Sequence, residues 1–110
     1  MRLTEQDVVA EVREVSIVQL RIWVERGWVS PSPDLNGPTF DEVDLARIRL
    51  VHQLRDQLEI DEDALPVVLS LVDQLYGVRQ DLRALVQAVD HEPDEVRQRI
   101  RANYMAALRR

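Results

Sequence analysis

One apolar pattern constrains the fold of this chain more than any other feature. Apolar residues recur at alternating spacings of three and four, without a break over three heptads: Val68, Leu71, Leu75, Val78, Leu82, Leu85 and Val89. This spacing predicts a long helix with a single apolar stripe, as in a coiled coil. Pro66 is tolerated near the first turn of such a helix, and Asp61 marks the break before it. A helix of some thirty residues would span roughly 45 Å, more than the width of a small domain.

We expect the stripe to meet a second copy of the chain. A domain of this size cannot bury seven positions along such a helix by itself, so the seven stripe residues are predicted to form a homodimer interface. Arg79, Asp81 and Arg83 would flank the interface as solvated or cross-chain ion pairs that each contribute little. The alternative is a single amphipathic helix packed on the core of its own chain, because such a helix shows similar spacing.

Two short helices with recognisable ends precede this segment. Thr4 with Asp7, and Ser16 with Gln19, are spaced as in the reciprocal hydrogen bonding of a capping box. Gly27 is typical of a helix C-terminus. Two capped helices about a dozen residues apart are the pattern of a helix-turn-helix.

A turn-rich loop follows the second helix. It holds three prolines and an Asn36-Gly37 pair, and its ends predict a minimal two-stranded wing in which residues 28–29 pair with residues 39–40. Asp41 is predicted to cap a third helix with apolar positions at Leu45, Ile48, Val51, Leu54 and Leu58.

The predicted fold class is therefore mostly α. A winged helix-turn-helix occupies residues 1–60, a long heptad-patterned helix residues 61–92, and a short basic helix residues 93–110, within a single compact domain. The last helix begins near Asp94, after His91-Glu92-Pro93 interrupts the stripe.

The second helix has two chemically different faces. On a helical wheel, Leu20, Trp23 and Val24 share one side, which we expect in the core. A DNA reader carries groups that bind bases and phosphates on the opposite side, whereas this helix carries β-branched hydrocarbons and an acid there. We interpret that side as a protein-binding face formed by Ile17, Val18, Arg21, Ile22 and Glu25. Packing of Val18 and Ile22 against the last helix, and DNA reading, are the alternatives.

The distribution of charge agrees with a protein partner. All 14 cationic side chains are arginine, against 20 acidic residues, for a net charge of −6. Residues 1–40 hold four arginines and six acids, unlike the basic surface that DNA binding requires. Residues 41–92 hold five arginines and twelve acids, which favours a basic partner. Residues 93–110 hold five arginines and two acids. We expect these arginines to form a solvated face or to dock on the acidic residues 41–92 of the same or a second chain. Nucleic-acid binding is the alternative.

No arrangement of residues indicates catalysis or a cofactor, so we expect neither an enzyme nor a metal site. His52 and His91 are isolated, and His52 is predicted on a helix surface. No serine has a nucleophile-elbow context, no glycine-rich phosphate loop is present, and the absence of cysteine excludes disulfides. The acids of residues 61–63 are expected to act as negative charge at a helix N-terminus. With no apolar leader and no apolar run of membrane-spanning length, the chain is expected in the cytoplasm.

Residues 20–31, LRIWVERGWVSP, resemble the recognition helix and following turn of MerR-type regulators, and Asn36-Gly37 stands where the wing of that family turns. The chain departs from the family at three places. Ile22 replaces the tyrosine that contacts phosphate, Glu14 replaces the glycine between the helices, and Pro38-Thr39 replaces an aromatic and an arginine of the wing.

The second half resembles one branch, the CbpM chaperone-modulator family. Phe40-Asp41, residues 54–61 (LRDQLEID) and residues 69–73 (LSLVD) follow its order and spacing, so the resemblance covers about residues 3–90 and leaves residues 94–110 outside. It implies a non-catalytic protein that binds the J-domain of a DnaJ/CbpA-like co-chaperone and inhibits it. J-domains present a basic helix to DnaK. A MerR-family DNA-binding transcriptional regulator is the alternative, and a structural subunit of a larger complex is a third possibility.

Overall fold

A computed structural model describes residues 2–109 and confirms the mostly helical class, with 68% of the described residues in helices. The elements in chain order are α1 (Glu5–Glu11), α2 (Ile17–Glu25), β1 (Ser32–Asp34), β2 (Gly37–Thr39), α3 (Glu42–His52), α4 (Leu65–Asp90) and α5 (Asp94–Leu108). A π-helical turn, Gln53–Gln57, directly continues α3. The chain divides into two compact units, residues 1–70 and residues 71–110.

The predicted helix starts are confirmed by their hydrogen bonds. The Thr4 hydroxyl accepts from the backbone N–H of Asp7, and the Asp7 carboxylate accepts from the N–H of Thr4. Ser16 and Gln19 form the same reciprocal pair at α2. A third capping box, between Asp41 and Asp44, starts α3. Each box satisfies two backbone donors that a helix N-terminus leaves open, so these short helices begin at defined residues.

The core of the first unit is built from its helices, the π-helical turn and the segments between them, whereas the two strands supply no buried residue. Leu20 and Trp23 of α2 are buried and Val24 is half-buried against them, as the helical wheel predicts. Arg47 of α3 donates from its side chain to the carbonyl of Trp28, which holds the segment after α2 against α3. The buried apolar residues are Val8, Val12, Val15, Leu20, Trp23, Trp28, Val29, Phe40, Ile48, Val51, Leu54, Leu65 and Leu69.

The two strands lie closer to the turn than predicted, β1 later in the chain and β2 earlier. β1 and β2 are antiparallel, with Ser32 opposite Thr39 and Asp34 opposite Gly37, so the predicted pairing of residues 28–29 with residues 39–40 is wrong. The tight turn at residues 35–36 sets this register, because a hairpin's register follows its turn.

The residues excluded from the hairpin have other partners. Trp28 and Val29 are buried in the core. Phe40 pairs with Leu3 instead, through two backbone hydrogen bonds of 2.8 Å, and so joins the N-terminal segment to the chain after β2. Burial of large apolar side chains therefore takes precedence over extending a two-stranded ribbon.

The apolar positions predicted for the third helix are confirmed except the last. Ile48, Val51 and Leu54 are buried and Leu45 packs against them, but Leu58 is exposed. The π-helical turn explains the difference, because its extra residue per turn rotates the following side chains away from the face that α3 buries.

The second unit contains α5 and the part of α4 from residue 71 onward. The predicted long helix is confirmed: α4 runs for 26 residues, with Pro66 at its second position, and α5 begins at Asp94 as predicted. None of residues 71–109, the described part of this unit, is buried. Within residues 2–109, no helix combines the length and apolar character needed to cross a membrane.

Candidate functional site

The predicted protein-binding face of α2 is accessible. Burial of Leu20 and Trp23 sets the rotation of the helix, which places Val18 and Ile22 on the exposed side. Val18 is 62% exposed and Ile22 is 38% exposed. The two side chains are four residues apart, so they are neighbours on the helix surface. Glu25 is also exposed, whereas Ile17 is half-buried at the first position of α2.

The one cation of this face is paired within the chain. Arg21 donates from Nε to one carboxylate oxygen of Glu5 at 2.9 Å and from Nη2 to the other at 3.2 Å. These hydrogen bonds, opposed by partial burial, lower the pKa of the Glu5 carboxyl, and they raise the pKa of the Arg21 guanidinium. The pair joins α2 to α1 and leaves Val18 and Ile22 with a charge-compensated neighbour.

Two other arginines of residues 1–40 are also engaged. Arg26 lies 2.7 Å from the carboxylate of Glu62, with its guanidinium 5.2 Å from the ring centroid of Trp28. Arg2 donates to the hydroxyl of Ser32 at 3.2 Å. The side-chain groups that would have to bind phosphate in a DNA reader are therefore mostly occupied by the protein itself.

Glu62 has a role that the sequence did not indicate. Its carboxylate accepts from both Arg26 and Arg55, and these hydrogen bonds lower the pKa of the Glu62 carboxyl. The three residues join the end of α2, the π-helical turn and the segment before α4. Glu62 lies just before α4, where negative charge was expected, and in addition it bridges two arginines.

His52, which was predicted on a helix surface, is half-buried. Its side chain is only 16% exposed, and its Nδ1 lies 2.8 Å from the carboxylate of Asp56, which Arg55 contacts as well. The histidine predicted on the helix surface is therefore partly covered and pairs with Asp56 one turn further along. Among residues 2–109, no three histidine or acidic side chains are grouped so that they could hold a metal ion.

The stripe residues of α4 fall into two groups. Val68 packs against the core of the first unit. Val89 is half-buried. The remaining five, which are 56–63% exposed, are Leu71, Leu75, Val78, Leu82 and Leu85.

Two features of the surface were not part of the predicted sites. Leu35, at the tip of the β hairpin, is fully exposed. In the second unit, α4 and α5 form the two sides of an open apolar groove, and Ile100 and Tyr104 line it on the α5 side. The spacing of four between these residues and on to Leu108 was a sequence signal for an apolar α5 face.

No family model, no curated protein and no solved structure matches this chain. The exposed face of α2 and the groove of the second unit are two accessible surfaces with apolar side chains.

Proposed function

We propose that this protein is a non-catalytic chaperone modulator that binds the J-domain of a DnaJ/CbpA-like co-chaperone through the exposed face of α2 and inhibits it. In this proposal α1, α2 and the β hairpin are a MerR-like winged helix-turn-helix that has become a protein-binding module. The observation that carries the proposal is the exposed Val18–Ile22 pair beside an arginine that is already bound to Glu5.

The apolar pair supplies the contact that would give affinity. Val18 and Ile22 are β-branched, so they lose little side-chain entropy when a partner covers them. A few well-packed residues at the centre of an interface, surrounded by contacts that exclude water, carry most of the binding energy in protein complexes. Glu25 and the Arg21–Glu5 pair supply such a polar surround.

The charge of the first unit supports a basic partner. Residues 1–70 hold seven arginines and fourteen acidic residues. The resemblance to the CbpM family implies a J-domain, and a J-domain presents a basic helix to DnaK. Opposite net charges would speed association and fix orientation, and a modulator bound to that helix would block DnaK.

The same observations weigh against a DNA-binding transcriptional regulator. A protein that binds DNA must neutralise several phosphates with free cations. Here Arg2, Arg21 and Arg26 contact Ser32, Glu5 and Glu62 respectively. Of these, Arg21 and Arg26 are already paired with carboxylates, and DNA binding would also bring an acidic surface towards the phosphate backbone.

The proposal is tested by calorimetry with a purified DnaJ-type J-domain. Val18→Glu and Ile22→Glu introduce a charge into the apolar pair, and each is expected to weaken binding at least tenfold, or about 1.4 kcal/mol. Val43→Glu is the matched control, because Val43 is 58% exposed and, like Val18, occupies the second position of its helix. Its affinity for the J-domain is expected to equal that of the unaltered protein.

Three results would contradict this proposal. One is the absence of both binding heat and inhibition of J-domain-stimulated ATP hydrolysis by DnaK. Another is unchanged affinity in both α2 variants, which would place the J-domain elsewhere on the surface. The third is tight, salt-sensitive and sequence-selective binding to genomic DNA fragments, which would favour the MerR-type regulator instead.

A further inference from the structure

We infer that the β hairpin is a second arm of the partner-binding surface, and that Leu35 at its tip enters an apolar pocket on the same basic protein that the exposed face of α2 binds. This inference rests on the proposed function, because it concerns the same complex with a J-domain. It adds a contact residue that the predicted binding face does not contain.

The face of α2 is too small to form a complete interface. A standard protein interface buries about 800 Å² on each partner and involves about 20–30 residues a side. The predicted face holds five residues, of which Ile17 is half-buried and Arg21 is already paired with Glu5. A stable complex must therefore use surface next to α2 as well.

A line of side-chain contacts leads from α2 to the hairpin. Arg21, on the exposed face of α2, donates both of its hydrogen bonds to Glu5. Three residues before Glu5, Arg2 donates to the hydroxyl of Ser32 at the base of the hairpin, at 3.2 Å. Leu35 follows three strand residues later, about 10 Å from Ser32. The hairpin is thus the element to which the contacts of the α2 face extend.

The hairpin holds Leu35 in a fixed position without packing it against the chain. Leu35 is fully exposed, so it contributes nothing to the core. Pro31, Pro33 and Pro38 each fix one backbone dihedral angle, and Pro33 lies opposite Pro38 in the hairpin. At the tip, the carboxylate of Asp34 accepts from the backbone N–H of Leu35 at 2.7 Å. A preordered apolar tip loses little conformational entropy when a partner covers it, which favours a binding role.

The charges along this surface fit a basic protein. Arg2, which connects the two arms, also interacts electrostatically with the carboxylates of Asp41 and Asp44, so its positive charge is compensated. At the tip, the exposed Asp34 stands beside Leu35. A basic partner would therefore meet a negative charge at the tip and no uncompensated arginine between the arms. A phosphate backbone would be repelled by Asp34, so nucleic acid does not suit this tip.

Binding kinetics of the full chain with a purified DnaJ-type J-domain test the inference. Leu35→Ala should raise the dissociation constant at least fivefold. The change should lie mainly in the dissociation rate, because an uncharged contact has little influence on diffusional encounter. Leu58→Ala is the matched control: Leu58 is a leucine of the same unit, 66% exposed, that follows the π-helical turn and belongs to neither arm. Its dissociation constant should not change.

A double variant tests whether both arms contact one J-domain at the same time. Ile22→Ala and Leu35→Ala alter two separate parts of the proposed surface, so the factors by which they raise the dissociation constant should multiply. Both tryptophans, Trp23 and Trp28, are buried in the first unit, and their emission should be the same in all these variants if the fold is intact.

Each outcome separates this inference from the proposed function. Normal J-domain binding by the unaltered protein, with unchanged affinity in Leu35→Ala, would overturn the role of the hairpin and leave the proposed function standing. Equal weakening by Leu58→Ala, or a double variant no weaker than Ile22→Ala alone, would also overturn the second arm. Absence of J-domain binding by the unaltered protein would contradict the proposed function and this inference together.

Discussion

The guanidinium of Arg21 donates two hydrogen bonds, of 2.9 and 3.2 Å, to the carboxylate of Glu5. Through them Glu5 of α1 compensates the charge of Arg21, the one arginine on the predicted binding face of α2. The neighbouring Val18 and Ile22 are uncharged and exposed. A face of this composition suits the desolvated centre of a protein interface better than the phosphate backbone of DNA.

The Arg21–Glu5 pair should make stability depend on pH. Because Arg21 lowers the pKa of Glu5 in the folded protein, the stabilisation is present above the ordinary glutamate pKa and is lost as pH falls through the lowered value. Glu5→Gln is expected to lower the free energy of unfolding at neutral pH by less than about 1 kcal/mol, since Arg21 is largely exposed. Urea unfolding followed by tryptophan emission measures this free energy of unfolding.

The difference in free energy of unfolding between Glu5→Gln and the unaltered protein should shrink steadily below the ordinary glutamate pKa. There Glu5 takes up a proton first in the unfolded chain, because its pKa is lowered in the folded protein. Glu14→Gln, at an exposed position in the turn between α1 and α2, is the control and should show no such convergence. An effect of Glu5→Gln that is the same at every pH would mean that charge is not its cause.

Truncating side chains on the two faces of α2 should change the free energy of unfolding by very different amounts. Leu20 is fully buried, so Leu20→Ala is expected to cost about 2–5 kcal/mol of folding free energy. Val18→Ala, two residues earlier and largely exposed, is expected to change it by no more than about 0.5 kcal/mol. Denaturant unfolding of both variants gives these values. A large loss for Val18→Ala would show that Val18 is buried in solution and is not available to a partner.

Replacement by alanine should have opposite effects on stability at two glycines. Gly77 lies inside α4, and a Cβ there would meet nothing within 4 Å, so Gly77→Ala should stabilise the protein by about 0.5–1 kcal/mol. Gly27 has φ of +78°, so Gly27→Ala should cost about 1–2 kcal/mol despite the open space. Thermal unfolding followed by circular dichroism, at one fixed protein concentration, compares them. Destabilisation by Gly77→Ala would indicate a close contact at this position.

Salt should affect the two proposed interfaces differently. The first unit is strongly acidic, so its association rate with a basic J-domain should fall as salt shortens the Debye length from about 10 Å at 0.1 M to about 3 Å at 1 M. The homodimer predicted through the α4 stripe joins nearly neutral segments, since residues 71–110 hold seven arginines and six acids, so its dissociation constant should change little. Stopped-flow mixing measures the association rate with the J-domain, and sedimentation measures the dimer dissociation constant. A dimer that dissociates in high salt would be held by charge and not by the apolar stripe.

Local patterns in the sequence were sufficient for the helices. The capping residues Thr4, Ser16 and Asp41, together with Gly27, predicted where helices begin and end, because these effects act within a few residues of the chain. The helical wheel also separated Leu20 and Trp23 from Val18 and Ile22, because burial follows the period of the helix.

Tertiary structure decided everything that depends on residues distant in the sequence. The pairing of Phe40 with Leu3 and the ion pairs that engage Arg21 and Arg26 join positions whose proximity no local pattern encodes. The π-helical turn before the exposed Leu58 was likewise not indicated by the spacing of apolar residues. The sequence determined which side chains were apolar and on which helix face, whereas the folded chain determined which of them were covered, because burial is a property of neighbours in space.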